Sequence, residues 1–335
     1  MNKLLIYQVF VRNYSQDGTF RAVENDLTRI KDLGTDILYL MPIHPIGELN
    51  RKGTYGSPYA IKDYFALSPD LGTKEDFLSL INKTHQLGMK IIIDIVFHHT
   101  SPDNVLVSTH PEYYFYKNGK RGNHVGDWSD IVDLDVTRED TQDYLVNVLK
   151  YWISLGVDGF RFDVASMIPM SFYRKARKEL GNKPIFFGEC IEKDFANYLI
   201  DTNSIYVDDK TLSECFDYLY NYNYMDVLTK HIKGECSLED VIQRIKEDDD
   251  CITRVNCLEN HDISRIASYF DNEDDLFKMV EFIFSLKGHV FLYMGQEYGI
   301  KHKPELFEKD PVIWPNENNT YKRYKELIKA YKNRT

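Results

Sequence analysis

Short apolar runs alternate with segments of helical periodicity along most of this chain. A Leu-Gly pair precedes an apolar run four times, at Leu33-Gly34, Leu87-Gly88, Leu155-Gly156 and Leu180-Gly181. Glycine just past a helix can take the left-handed backbone conformation that ends it. Each pair therefore predicts a helix that gives way to a strand, and four such transitions predict repeated βα units.

The segments before these glycines have the pattern of amphipathic helices. In the first segment the apolar residues recur at intervals of three and four, at Phe20, Val23, Leu27 and Ile30. Thr73 with Asp76, and Thr137 with Asp140, predict capping boxes at the starts of the second and third helices. A strand-like run follows each of these helices, which supports the repeated unit.

Eight apolar runs are predicted to be strands. They lie near residues 4–11, 36–41, 90–97, 158–163, 185–189, 214–218, 252–258 and 290–294, and a last helix lies near 320–333. Eight strands that alternate with helices predict an α/β fold, for which a closed (β/α)8 TIM barrel is the economical architecture. A doubly wound open sheet is the weaker alternative, because no Gly-rich phosphate loop follows the first strand.

Residues 98–138 interrupt this alternation. They lack helical periodicity and are rich in Pro, His, Asn, Gly and aromatic residues. A long loop in a compact domain usually carries function. We therefore predict a barrel formed by residues 1–97 and 139–335, with 98–138 as a small inserted subdomain after the third strand.

The composition excludes several classes of protein. The 335 residues include 41 Lys and Arg against 52 Asp and Glu, and the net charge of −11 argues against nucleic acid as a partner. Five cysteines without scaffold spacing indicate free thiols in a reducing compartment. The apolar run at the N-terminus is too short for a signal peptide, and no run approaches the roughly 18 apolar residues of a membrane span. We expect a soluble cytoplasmic protein without a membrane partner.

Three carboxylates close or follow strand-like runs, namely Asp163, Glu189 and Asp262. The carboxyl ends of the strands in a parallel barrel open onto one face, so these acids can converge on one substrate. Arg161 lies two residues before Asp163 and projects to the same face of its strand, where its charge is expected to keep Asp163 ionised. Acids that converge in this way suit the making and breaking of glycosidic bonds.

Four motifs follow one another along the chain. They are Asp94-Ile95-Val96-Phe97-His98-His99, Gly159-Phe160-Arg161-Phe162-Asp163, Phe187-Gly188-Glu189 and Asn260-His261-Asp262. In this order, on the third, fourth, fifth and seventh predicted strands, they resemble the motifs of the α-amylase family. Residues 34–42 and 293–297 resemble the second and eighth strands of that family, so the resemblance covers essentially the whole barrel.

The resemblance implies roles for the three acids. Asp163 would be the nucleophile and Glu189 the acid/base. Asp262 would hydrogen-bond to ring hydroxyls while the sugar is distorted toward its planar transition state. These roles agree with the general need of a retaining glycosidase for one charged and one protonated carboxyl.

The resemblance also implies a set of substrate-binding residues. Tyr59 matches the aromatic residue that stacks under the sugar being cleaved, with packing at the rim as the alternative. His99 and His261 match histidines that hydrogen-bond the bound sugar, a role that suits a ring able to donate and accept. Arg161 belongs to the same set. Asp94 matches a position that braces the site from within its strand.

Two departures from the family pattern change these expectations. Many members have Asn, a ligand of a structural calcium, where this chain has His98, and Lys-His where it has Ser166-Met167. Calcium prefers oxygen ligands, so we predict no calcium site and no required cofactor. The missing Lys-His pair favours short oligosaccharides or glycosyl transfer over internal cleavage of starch. We also expect no C-terminal β-sandwich, which most members carry.

Together these features predict an α-retaining glycoside hydrolase or transglycosylase that acts on α-glucosidic, maltodextrin-like oligosaccharides through a covalent glycosyl-Asp163 intermediate. The oligosaccharide is the expected partner. A family isomerase or phosphorylase acting on a disaccharide is the alternative among enzymes. A non-catalytic carbohydrate-binding barrel is the alternative outside enzymes, and the intact set of acids argues against it.

Overall fold

Eight parallel strands close into a barrel in the computed structural model, which describes residues 3–126, 128–248 and 251–334. Neighbours in chain order pair with each other, and the eighth strand pairs with the first to close the ring. The predicted (β/α)8 TIM barrel is confirmed, and the open-sheet alternative is wrong. The strands are β1 (Leu5–Val9), β2 (Ile37–Leu40), β3 (Lys90–Ile95), β4 (Gly159–Phe162), β5 (Ile185–Gly188), β6 (Tyr218–Tyr220), β7 (Arg254–Asn256) and β8 (His289–Tyr293).

Helices connect the strands. The longer ones span Phe20–Asp32, Lys74–Gln86, Glu139–Ser154, Met170–Leu180, Lys193–Asp201, Met225–Ile232, Leu238–Lys246, Glu273–Ser285 and Asn319–Lys332. The glycines of the four Leu-Gly pairs all have positive φ, from 70° at Gly181 to 106° at Gly34, which confirms their predicted role at helix ends. Within the described ranges, no helix combines the length and apolar character that crossing a bilayer requires.

Aromatic side chains fill the inside of the barrel. The ring centroids of Tyr39 on β2 and Phe291 on β8 lie 6.1 Å apart, and those of Phe291 and Tyr220 lie 5.5 Å apart. Phe187 on β5 completes the cluster, 4.4 Å from Tyr220. These contacts across the interior help to fix the spacing of the strands. The carboxyl ends of the strands are therefore held by a packed interior.

The sixth strand differs from its prediction. Residues 214–218 were expected to be extended, but β6 begins only at Tyr218. The backbone N–H of Phe216 donates to the carbonyl of Leu212, as in a helical turn. Its ring packs 5.5 Å from Phe162 and 4.7 Å from Tyr173. The apolar character of this segment reflects packing on the outside of β4 rather than strand pairing.

The two predicted capping boxes have opposite outcomes. The box of Thr73 and Asp76 is present, with both reciprocal hydrogen bonds. The box of Thr137 and Asp140 is wrong, because the residue after Thr137 occupies the N-cap position and offers no side-chain cap. The Thr137 hydroxyl donates to Asp135 instead. A local acceptor thus replaces the helix as the partner of this hydroxyl.

The segment 98–138 lies beside the carboxyl ends of the strands and contains two short antiparallel ladders. His99–Thr100 pairs with Val132–Asp133, and Tyr116–Lys117 pairs with Lys120–Arg121. The division of the chain into this inserted segment and a barrel of residues 1–97 and 139–335 stays a prediction.

Candidate active site

The three acids that close or follow strands line one cavity. Asp163 directly follows β4, Glu189 directly follows β5, and Asp262 lies in the loop after β7. All three belong to the lining of a cavity with a volume of about 320 Å³. This is the face at which the active sites of TIM barrels lie. Tyr59, His99 and His261, also predicted for the site, line the same cavity.

Arg161 lies among three carboxylates. Its side chain is fully buried, and Nη1 donates to Asp163 Oδ1 at 2.8 Å and to Asp94 Oδ1 at 2.9 Å. Nη2 lies 2.8 Å from Glu189 Oε1, although this contact lacks hydrogen-bond geometry. One guanidinium therefore holds Asp163 and Glu189 beside each other and supplies the positive charge between them.

Asp94 fixes the position of this guanidinium. It is fully buried on β3 and accepts hydrogen bonds from Tyr39 Oη at 2.5 Å and Tyr59 Oη at 3.0 Å, in addition to that from Arg161. Donors thus surround its carboxylate on several sides. Asp94 is not among the residues that line the cavity. Asp94 thus has the contacts of a residue that positions Arg161 rather than of one that contacts the substrate.

The two central acids share an environment that favours protonation. Burial, together with the charge of Glu189, raises the pKa of Asp163 well above its ordinary value, although Arg161 acts in the opposite direction. Burial also raises the pKa of Glu189 against the effect of Arg161. The expectation that Arg161 keeps Asp163 ionised stays a prediction: the guanidinium acts in that direction, but it is shared among three carboxyls and desolvation opposes it. The pair titrates as one unit, and burial favours a state in which the pair retains a proton.

Tyr59 and His261 form a stacked pair. Their ring centroids lie 5.2 Å apart with planes inclined by 17°, and Tyr59 Oη lies 2.6 Å from His261 Nε2. The buried amide nitrogen of Gln8 faces His261 Nδ1 at 3.0 Å. Because an amide nitrogen only donates, in this orientation Nδ1 accepts and Nε2 carries the proton. No pattern in the sequence predicts that Gln8 contacts a residue of the site.

Asp262 stands at the rim of the cavity with 54 % of its side chain exposed. Its Oδ2 lies 3.0 Å from His261 Nε2. Burial alone would raise the pKa of this carboxyl, but its interactions with His261, which include a hydrogen bond, and the charge of Arg161 lower it to about 2. Asp262 is therefore ionised at neutral pH and acts only as a hydrogen-bond acceptor.

His99 is nearly buried at the wall of the cavity. Burial lowers its pKa to about 3, so the ring is neutral at physiological pH. Its Nδ1 lies 3.3 Å from Nδ1 of His98, so one of these nitrogens donates and the other accepts. The position of His99 leaves it able to meet a sugar hydroxyl in the cavity.

His98, His99 and Asp133 form a group of potential metal ligands whose ligand atoms lie within 4.8 Å of one another. Asp133 Oδ1 is buried without a hydrogen-bond partner, 3.6 Å from His98 Nδ1. Calcium takes roughly six to eight oxygen ligands, whereas this group offers two imidazoles and one carboxylate. The donor set does not fit calcium. That the reaction requires no metal stays a prediction.

Val164 was not predicted from the sequence. It follows Asp163 with a left-handed backbone, at φ 39° and ψ 49°, which is rare for a β-branched residue and costs on the order of 1–3 kcal/mol. In this conformation its N–H donates to Glu189 Oε2 at 2.7 Å. The strained residue thus ties the end of β4 to the acid on β5. Nothing in the local sequence marks it.

Further lining residues were not predicted from the sequence. They include Lys52, Asp130, Ile131, Leu306 and Phe307. They lie in the loop after β2, the segment 98–138 and the loop after β8. Loops carry no periodic pattern, so no signal in the sequence could have brought these residues together.

A family model described as the catalytic domain of α-amylase matches residues 8–128 and 123–334. The chain belongs to the α-amylase family. The resemblance noted in its motifs is thereby confirmed. This protein is a glycosidase of that family, and its membership supports action on α-glucans.

Individual relatives agree with the family match. An α-amylase from Lactobacillus plantarum of known structure is 38 % identical, with a TM-score of 0.94 over 98 % of this chain and 80 % of that chain. A maltogenic α-amylase from Thermotoga neapolitana is 32 % identical, with a TM-score of 0.88 over 99 % of this chain and 77 % of that chain. Alpha-amylase 3 of Dictyoglomus thermophilum is 26 % identical over 96 % of this chain and 69 % of its own length.

One relative is named for a different activity. The α-1,4-glucan:maltose-1-phosphate maltosyltransferase of Arcanobacterium haemolyticum is 32 % identical over 183 residues. The match covers 48 % of this chain but only 26 % of that protein. The similarity is therefore confined to part of a much longer enzyme.

Proposed function

We propose that this family member is an α-retaining glycosidase or transglycosylase that acts on short, maltodextrin-like oligosaccharides by double displacement. One observation supports the proposal most. Asp163 and Glu189 are buried beside one another at a single guanidinium, which gives two adjacent carboxyls with one of them able to keep a proton.

In the first step, a carboxylate oxygen of Asp163 attacks the anomeric carbon of the bound sugar. A covalent bond forms between that carbon and Asp163, while the bond to the departing sugar breaks. Glu189 gives its proton to the departing oxygen, which leaves as a neutral hydroxyl. Glu189 is then ionised and Asp163 is esterified.

In the second step, Glu189 accepts a proton from an incoming hydroxyl. Water in that place gives hydrolysis, and the hydroxyl of a second sugar gives transfer. The incoming oxygen bonds to the anomeric carbon and Asp163 leaves as a carboxylate. Two displacements at the same carbon restore the starting α configuration.

The remaining predicted residues hold the sugar during these steps. The ionised carboxylate of Asp262 accepts hydrogen bonds from ring hydroxyls, and the neutral ring of His99 and the ring of His261 donate to or accept from others. One face of the Tyr59 ring stacks on His261, and the other face is available to stack on the sugar. In this proposal the oligosaccharide is the partner and the protein works in the cytoplasm, as its cysteine usage predicts.

Trapping the covalent intermediate tests the proposal. The variant Glu189→Gln with α-maltosyl fluoride should accumulate an adduct, because fluoride departs without a proton donor while the second step lacks its base. Peptide mass mapping should place one maltosyl group on Asp163. The variant Asp163→Asn should form no adduct and lose about 10⁴-fold or more in turnover. Asp271→Asn, at an exposed position that does not line the cavity, serves as the control.

Product analysis separates the alternatives. A glycosidase releases α-configured sugars in water, whereas a phosphorylase turns over only when phosphate is present and an isomerase yields no net hydrolysis. The partial similarity to a maltosyltransferase makes the reaction with phosphate worth including. Tight binding of maltooligosaccharides without turnover of any of them would instead indicate a non-catalytic barrel.

A further inference from the structure

We infer that this enzyme attacks α-glucan chains from their non-reducing ends, because three joined loops close the glycon end of its active-site cavity. The inference rests on the proposed function and specifies its substrate. The cavity volume of about 320 Å³ lies at the small end of the roughly 300–1,000 Å³ that ligand sites usually have. A small, closed-ended site accepts a chain terminus rather than the middle of a chain.

Lys52 joins the three loops. It lies in the loop after β2, and its Nζ lies 2.7 Å from Asp130 Oδ1 in the segment 98–138. The same Nζ lies 6.0 Å from the ring centroid of Phe307, in the loop after β8. All three residues line the cavity. We refer to Lys52, Asp130 and Phe307 together as the end wall.

Hydrogen bonds to backbone carbonyls hold the end wall in place. Asn50 Nδ2 donates to the carbonyl of Ser129 at 3.0 Å, which ties the loop after β2 to the segment 98–138. The N–H of Tyr55 donates to the carbonyl of Phe307 at 2.9 Å, which ties the same loop to the one after β8. Arg12, after β1, donates to the carbonyl of Leu306. The end wall is therefore formed by several loops that hydrogen bonds hold together, and not by one side chain alone.

The ring order of the strands shows which end of the sugar meets the wall. Glu189, the proposed donor to the departing oxygen, follows β5, and Val164 and Met167 line the cavity after β4. The departing sugar must lie on this side, since its oxygen receives the proton of Glu189. In the closed ring, β8 and β1 lie across from β4 and β5, and β2 lies next to β1. The loops after β8 and β2 thus stand at the opposite, glycon end. The segment 98–138 follows β3, beside β4, and the ion pair with Lys52 brings its Asp130 to the same end.

The chemistry of the wall suits a chain terminus. The glycon end of an α-glucan is its non-reducing end, which carries a free hydroxyl at the position where an internal sugar continues the chain. The ammonium of Lys52 can donate to that hydroxyl and the carboxylate of Asp130 can accept from it. An internal sugar would place the next residue of the chain where this ion pair lies.

A pair of matched substrates tests the inference. Maltoheptaose should be consumed to short sugars, whereas maltoheptaose that carries a 4,6-O-ethylidene group on its non-reducing terminal glucose should be consumed about 100-fold more slowly. Chromatography of the products follows both reactions. The variants Lys52→Ala and Asp130→Ala should raise the relative rate on the blocked sugar by about tenfold, because they open the wall. Lys322→Ala, exposed on the last helix, is the matched control.

The outcomes are distinguishable. Equal consumption of the free and blocked sugars by the unaltered enzyme would show internal cleavage and overturn the inference, while the proposed function would stand. Consumption of neither sugar would overturn the proposed function, and the inference with it. The comparison of substrates on the unaltered enzyme decides the matter even if a wall variant fails to fold.

Discussion

The two sides of the active-site cavity are built in different ways. On one side, Asp163 and Glu189 directly follow paired strands, and buried Arg161 joins them. On the other side, Lys52 and Asp130 come from loops, and 39 % of the Lys52 side chain is exposed. Strand ends in a packed barrel position groups within narrow limits, whereas loops can vary without disturbing the scaffold.

This difference separates chemistry from selectivity. Changes on the strand side should affect folding and the rate of the chemical step together, because the same buried charges serve both. Changes on the loop side should alter which sugars are accepted while leaving the scaffold intact.

Removal of the shared guanidinium should have the largest effect. Arg161→Met leaves three buried carboxyls without their cation, and we expect a loss of about 3–5 kcal/mol in the free energy of unfolding, with activity abolished. Urea denaturation measures this. Arg174→Met is the matched control, since its ion pair with Glu214 is more than half exposed on both sides and should contribute at most about 1 kcal/mol. Equal losses in the two variants would contradict the comparison.

Loss of the acid/base should affect rate according to the leaving group. Glu189→Gln should lower kcat on maltooligosaccharides by about 10²–10⁴-fold, because their departing oxygen needs a proton. The loss in the first step should be much smaller with α-maltosyl fluoride, whose leaving group needs none. Burst kinetics of fluoride release measure this step, and Glu192→Gln at an exposed position is the control. Equal losses with both substrates would exclude the proposed role of Glu189.

The same variant should change the pH profile. Burial raises the pKa of Glu189, so its proton is kept to a higher pH than that of an ordinary glutamic acid and lost as the pH rises through the raised value. Activity that needs this proton should therefore fall on the basic side. The residual activity of Glu189→Gln should lack that basic limb. A basic limb of the same position in both proteins would assign it to another group.

The end wall should contribute less to stability than the strand side. Lys52→Ala removes the cation that pairs with the buried carboxylate of Asp130, and we expect a loss of about 1–3 kcal/mol in the free energy of unfolding. Urea denaturation of Lys52→Ala, the variant also used in the comparison of substrates, provides the measurement. A loss as large as that of Arg161→Met would show that the wall is part of the scaffold and remove the contrast.

Chelation should have no effect. The donor set of His98, His99 and Asp133 does not fit calcium, so incubation with EGTA, which is selective for calcium, is expected to change neither Tm nor activity. Thermal denaturation before and after chelation checks this. A fall in Tm that calcium alone restores would show that the site is completed by ligands outside this group.

The sequence by itself determined the barrel and the acids. Leu-Gly pairs at helix ends and apolar runs are local signals, and they predict strands whose carboxyl ends share one face. Asp163 and Glu189 are adjacent to those runs, so their convergence follows from the topology. The sixth strand was misplaced because Phe216 is buried by packing on β4, and burial alone does not distinguish a strand from a turn.

The tertiary structure decided what the local pattern does not encode. The strained backbone of Val164, the contact of Gln8 with His261 and the ion pair of Lys52 with Asp130 all join residues through space. The titration of the Asp163–Glu189 pair also depends on desolvation, which opposes the nearby guanidinium and cannot be seen in the order of residues. Periodicity reports on burial along one element, whereas contacts between loops and the pKa of a buried group depend on the whole packed molecule.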